Sequence, residues 1–166
     1  MRLFCHPDTS CPWITGIDGK ISPLGFGLIR LEFTMTGELA RLKSAPTEDP
    51  LWKHTCFEAF FRPEGQKSYT EFNFNPSGQW ARYEMSAYRE PGPEKPASTP
   101  QIEASITPHV LTLTAQLALP APLPLLVGLS AVIEDRENNL SCWALNHPPG
   151  KPDFHHDSNF VLNLAA

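Results

Sequence analysis

Between positions 28 and 36 the chain alternates without a break: Ile29, Leu31, Phe33 and Met35 on one side, Arg30, Glu32, Thr34 and Thr36 on the other, until Gly37 ends the run. A two-residue period places the two sets on opposite faces of a strand, where a helix would need a period of 3.6. The same rhythm returns at Leu111, Leu113, Ala115, Leu117 and Leu119, interleaved with Thr112, Thr114 and Gln116. Eighteen prolines are scattered between the apolar runs, about twice ordinary usage. Proline removes a backbone donor and fixes φ, so it punctuates turns and edge strands and excludes long helices. Short strands with such frequent turns make an all-β domain, a sandwich or barrel.

Further strands are expected at 56–62, 68–75, 79–85, 101–106, 126–134, 140–145 and near 160–164, with a turn at Pro76-Ser77-Gly78 and an exposed Pro-rich loop over 90–100. The runs 126–134 and 140–145 read as a hairpin. Residues 146–157 form a long polar loop. Neither an internal repeat nor a linker divides the chain, so 1–166 is read as one domain. At this length folding buries about two-thirds of the unfolded surface, enough for a core without a metal or disulfide staple.

The formal charge is −5, which argues against nucleic acid, because phosphate binding needs a clustered basic surface. No apolar stretch reaches membrane-spanning length. Residues 1–13 lack the apolar core of a signal peptide, so the expected compartment is the cytoplasm. There Cys5, Cys11, Cys56 and Cys142 are expected to be reduced; none forms a C-x-x-C pair, which leaves them as small buried hydrophobes. His155-His156, beside Asp153 and Asp157, is not read as a metal site, since neighbouring residues of an extended chain point to opposite sides.

Strands 56–62, 68–75 and 79–85 are taken as an antiparallel meander. A symmetric 63–67 loop sets Glu58 opposite Glu71; closure of the next turn by Asn75 and Gly78 sets Glu71 opposite Arg82 and Asn73 opposite Trp80. One face then carries Glu58, Glu71 and Arg82 in a row, with Asn73, Asn75, Trp80 and Glu84 around it. The other face carries Phe57, Ala59, Phe61, Phe72, Phe74, Ala81, Tyr83 and Met85. Two opposed carboxylates repel, and a cation or ligand must compensate them. With no partner wall across a cleft, binding is expected rather than glycoside hydrolysis.

Three stretches carry a resemblance: Leu51-Trp52-Lys53-His54-Thr55-Cys56-Phe57-Glu58-Ala59-Phe60, then Glu71-Phe72-Asn73-Phe74-Asn75-Pro76-Ser77-Gly78-Gln79-Trp80, then Ser141-Cys142-Trp143-Ala144-Leu145-Asn146-His147-Pro148-Pro149-Gly150-Lys151-Pro152-Asp153-Phe154-His155. Together they resemble the bacterial DOMON-like proteins related to the type nine carbohydrate-binding modules. The resemblance implies a β-sandwich of immunoglobulin-like or jelly-roll appearance and a non-catalytic role in binding a sugar or sugar derivative. Aromatic rings would stack on the sugar while carboxylate, amide and lysine groups bond its hydroxyls. The candidate ligand-binding set is Trp52, His54, Glu58, Glu71, Asn73, Trp80, Arg82, Trp143, His147, Lys151, Asp153 and His155, with no catalytic residue and no metal ligand. Trp143 is expected to pack in the core and Trp52 to sit at the rim. The alternatives are heme binding, which related branches achieve with Met and His ligands (here Met85 and His147), and a hydrolase using Glu58 or Glu71 with His147. Edge strands without strong charge offer a surface for a homodimer.

Overall fold

The computed structural model describes residues 1–165. The strands are β1 (Arg2–Cys5), β2 (Ile14–Gly25), β3 (Leu28–Gly37), β4 (Leu42–Lys43), β5 (Cys56–Pro63), β6 (Tyr69–Phe74), β7 (Trp80–Ala87), β8 (Glu90–Pro91), β9 (Gln101–Ile106), β10 (Val110–Ala118), β11 (Leu125–Asp135), β12 (Leu140–Ala144) and β13 (Leu162–Leu164). All pairings are antiparallel, in the order β8-β7-β6-β5-β11-β12-β1-β2-β3-β10-β9, with β4 and β13 completing the two ends of β11. The path folds back on itself at β1, which pairs with β12 on one side and β2 on the other. It thereby forms a β-sandwich of two sheets, β1-β2-β3-β10-β9 and β8-β7-β6-β5-β11-β12-β1.

The sheets close on each other through the apolar sets that the alternation defined. Leu31, Phe33 and Met35 of β3 lie opposite Ala115, Leu113 and Leu111 of β10, and all are buried. Phe33 meets Phe57 of the second sheet with ring centroids 5.1 Å apart. At Gly19 of β2 a Cβ would come within 2.8 Å of a Leu129 methyl from the facing sheet, which would have to turn aside, so the glycine lets that side chain pack directly on the strand. The expected strands are present. Strands β1, β2, β4 and β8 were not expected, because β2 is interrupted by Gly16, Gly19 and Pro23 and the others are only two to four residues long.

Two registers differ from the expected ones, with different consequences. Across β5 and β6, Glu58 pairs with Asn73 and Phe60 with Glu71. This is a two-residue shift, which preserves the faces and makes Glu58 and Glu71 diagonal rather than direct neighbours. Across β6 and β7, Glu71 pairs with Tyr83 and Phe72 with Arg82. This one-residue shift exchanges the faces of β7. Its cause is Gly78 at φ +91, which adds a third loop residue to Pro76-Ser77 so that Asn75 closes on Gln79. Asn75 Oδ1 accepts the Ser77 backbone N–H at 2.7 Å and fixes the turn. Trp80, Arg82 and Glu84 therefore leave the expected carboxylate face, and Ala81, Tyr83 and Met85 join it.

Candidate functional site

Every residue from Cys56 to Phe61 and from Tyr69 to Phe74 is buried. The inner side faces the core; on the outer side β5 and β6 are covered by the 145–161 connection between β12 and β13. That connection is held at several points. Asp153 Oδ1 accepts from the Arg89 guanidinium at 2.9 Å and from the His155 backbone N–H at 3.1 Å, and the Tyr88 hydroxyl donates to Asp153 Oδ2. Arg62 pairs with Asp157 at 2.5 Å, and Phe160 packs on Phe60 and Tyr69. A Cβ on Gly128 of β11 would meet Asn159 Nδ2 at 2.8 Å, so the connection lies directly on the sheet.

Between cover and sheet is a cavity of about 350 Å³. Glu58, Glu71, Tyr83, Met85, Val132 and Cys142 rise from the strands; Trp52, Arg89, Pro152, Phe154 and His155 close it from above and the side. A larger recess of about 620 Å³ lies by the 63–66 loop and the 120–124 prolines. Its buried polar residues, Tyr69 and Thr70, have their hydroxyls engaged by His155 and Glu84, and the chemistry belongs to the smaller one.

Glu58 Oε2 accepts the Ser130 hydroxyl at 3.0 Å and its Oε1 accepts the Cys56 thiol at 3.3 Å. Glu71 Oε1 accepts from Asn73 Nδ2 at 2.9 Å. Burial, followed by the charge of Glu71, pushes Glu58 up to about 8. Burial also pushes Glu71 up to about 7, against the opposing pull of Asn73 and Arg89. The pair is therefore partly protonated at neutral pH and supplies both acceptors and a hydroxyl donor.

His155 is held neutral: burial, then the positive charge of Arg89, draw it down to about 4. The Arg89 backbone N–H donates to the Tyr69 hydroxyl oxygen at 3.1 Å, and that hydroxyl shares a hydrogen bond with His155 Nδ1 at 2.7 Å. His155 Nε2 lies 3.8 Å from Glu71 Oε2, too far for a hydrogen bond. Arg89 occupies a positive φ of 55°, a conformation that side chains other than glycine seldom adopt and that here sends the guanidinium to Asp153 and the cavity edge.

Of the expected residues, Trp52, Glu58, Glu71 and His155 line the cavity, Asn73 supports Glu71, and Asp153 anchors the cover. The others do not reach it. Trp80 packs against the core and Arg82 pairs with Glu84, both on the opposite face of the sheet. Trp143 is in the core, its indole N–H donating to Ser141. His54 is bonded through Nδ1 to Glu134 at 2.7 Å, where it braces the segment carrying Trp52. His147 donates through Nε2 to the Phe4 carbonyl at 2.8 Å and does not line the cavity that Met85 borders, so the two do not fit as a pair of axial heme ligands. Nor is His147 within the cavity to act with Glu58 or Glu71. Lys151 is exposed on the connecting loop. Among the described residues, no group of three or more His, Cys, Asp or Glu is placed to hold a metal ion.

Tyr83, Met85, Arg89, Val132, Cys142, Pro152 and Phe154 were not expected in the site. The expected register, off by one residue, puts Tyr83 and Met85 on the apolar face; the signal for their true face lies in the Pro-Ser-Gly turn, whose Gly78 takes the positive φ of the longer loop. Arg89 had none, since its role depends on a turn between two short strands.

No protein-family profile matches the chain and no curated protein matches it by sequence. By structure it is similar to a candidate carbohydrate-binding protein from Bacteroides uniformis, with TM-score 0.62 and 16% identity over 93% of this chain and 79% of the other. It is also similar to a carbohydrate-binding module of family 9 from Caldicellulosiruptor kristjanssonii, solved with cellotriose, with TM-score 0.60 and 10% identity over 81% of this chain and 67% of the other. At these identities the likeness concerns the fold.

Proposed function

We propose that this chain is a DOMON-like, non-catalytic module that binds a small carbohydrate or sugar derivative in the cavity over β5, β6 and β7. The observation that carries the reading is the wall of Glu58, Glu71 and Tyr83 beneath an aromatic cover of Trp52 and Phe154. A sugar presents hydroxyls around its edge and apolar C–H groups on its faces, and this wall and cover offer the complement to each. A cavity of about 350 Å³ lies at the small end of the ligand-pocket range of roughly 300–1,000 Å³, which suits a mono- or disaccharide better than a polymer. Both carboxylates rise from the same wall, whereas glycoside hydrolysis needs them across the scissile bond, so the reading is binding. The two structural neighbours, one solved with cellotriose, support it.

Titration calorimetry against a panel of neutral, acidic and amino mono- and disaccharides tests it. Saturable heat is expected for at least one of them, with at least about tenfold weaker binding in Trp52→Ala and in Glu71→Gln, each worth about 1.4 kcal/mol or more. No heat from any sugar with folded wild type would overturn the proposal.

A further inference from the structure

The buried carboxylates of this protein fall into two kinds. Glu134, 4% exposed, has Lys43 Nζ at 2.7 Å on one oxygen and His54 Nδ1 at 2.7 Å on the other. The Glu84 side chain is paired with Arg82 and, at 3.1 Å, with Lys95. Glu58 and Glu71 are buried as deeply, yet among the described residues neither has a cation within hydrogen-bond reach: their partners are Ser130, Cys56 and Asn73. Buried charge without a partner is costly, and a fold that compensates its other two leaves these unmatched only at the cavity.

The groups that face the pair from each packed element do not supply the missing charge. From β5 and β6 come Cys56 and Tyr69, from β7 Tyr83 and from β12 Cys142, all uncharged at neutral pH because burial raises each of them. From the cover come Asp153, which is anionic, and His155, which is neutral. Arg89 is the one cation lining the cavity among the described residues, and its guanidinium is engaged by Asp153 at 2.9 Å. Asn73, fully buried and bonded to Glu71, stands behind the cavity wall rather than on it, so the acceptors open to a ligand are the oxygens of Glu58 and Glu71. An ammonium group is donor only, with three N–H bonds and a positive charge, and aromatic faces such as those of Trp52, Tyr83 and Phe154 attract it further.

Resting on the sugar-binding reading of the same cavity, we propose that the ligand is a cationic amino sugar whose protonated amine is received by Glu58 and Glu71. In the empty cavity protons take the place of the missing cation. When the ammonium enters, a carboxyl proton leaves to solvent while the amine keeps its own three, so the exchange is one cation for one proton. Binding therefore strengthens as pH rises from about 5 toward 6.5, a range in which the sugar amine keeps its proton while the carboxylates ionise more readily, and weakens in stronger acid.

The test is calorimetry of the full chain with three disaccharides of matched size: the glucosamine dimer, its N-acetylated form and cellobiose. Each is titrated at pH 5 and 6.5, where the amine is charged, in two buffers of different ionisation enthalpy. The expected result is at least tenfold tighter binding of the free amine, a buffer-dependent heat showing net proton release, and severalfold weaker binding at pH 5. Glu71→Gln, checked for folding by circular dichroism, is expected to bind the free amine at least about tenfold more weakly and to lose the buffer-dependent proton release. Equal binding of all three sugars without proton release would overturn the amine assignment and leave the sugar-binding reading standing. Silence with all three, in folded protein, would overturn both.

Discussion

The two sheets of the sandwich share one core but treat their outer faces in different ways. In β3 and β10 buried and more exposed residues alternate, and the outer face, with Glu32, Thr34, Thr112 and Thr114, is not buried. In β5 and β6 that alternation disappears: Phe57, Ala59 and Phe61 point into the core, while Glu58 and Phe60 point outward and are buried by the 145–161 connection. A covered outer face can exclude water from polar groups, and it is there that carboxyl groups acquire unusual proton affinity. The comparison teaches that in this fold chemistry accompanies the second layer of cover, not the sandwich core.

The sharpest way to break the comparison is at the shared core. Phe57→Ala removes a ring that meets Phe33 across the two sheets and is expected to cost about 3–5 kcal/mol, read by urea denaturation; a loss below about 1 kcal/mol would mean that the sheets do not depend on that contact. A smaller and opposite effect is expected under the cover. The native state holds the Glu58 proton more tightly than the unfolded chain, since Glu58 is pushed up to about 8. The carboxyl's stabilising contribution is therefore present in mild acid and lost as pH climbs through about 8. Glu58→Gln, which resembles the protonated form, is expected to raise Tm by at least about 3 °C at pH 8.5 and to change it little at pH 5, as thermal melts at the two pH values will show. Equal shifts at both would place the effect outside ionisation. The smallest effect belongs to the open sheet: Glu32→Gln is expected to alter stability by no more than about 0.5 kcal/mol and to leave sugar binding unchanged.

The contrast was only half legible in the sequence. Ile29, Leu31, Phe33 and Met35 could be assigned to the core because a half-exposed strand advertises its faces by alternation, and the same signal located β10. A strand buried on both sides has no such contrast: Cys56-Phe57-Glu58-Ala59-Phe60-Phe61 carries apolar residues on either face, and nothing in it reveals that the outer side is covered. Glu58 and Glu71 were still placed on one face, because the error in the β5–β6 register was an even number of residues. Trp80 and Arg82 were misplaced because the β6–β7 error was odd, by the single residue that Gly78 adds. Arg89 and Phe154 enter the site from a turn and a long connection, where side-chain direction follows tertiary contacts rather than any period. The hydrogen bonds of His54 and His147 to Glu134 and Phe4 likewise join residues far apart in sequence, so their exclusion from the cavity had no local signature.

The pairing of β5 with β11 and of β1 with β12 has a consequence for how the chain reaches this state. Glu58 stands beside Ser130 and Phe4 beside Ala144, so the central strands of the covered sheet meet only after most of the polypeptide has been synthesised. Contacts so distant along the chain make for slow folding, on the scale of milliseconds to seconds for β-rich topologies. Until residues 125–135 arrive, β5 has one open edge and a face bearing Phe57 and Phe61, an arrangement that invites strand addition from another molecule. Fragments ending before β11 are for that reason expected to aggregate rather than to behave as smaller sandwiches, and the carboxylate wall is a late product of folding.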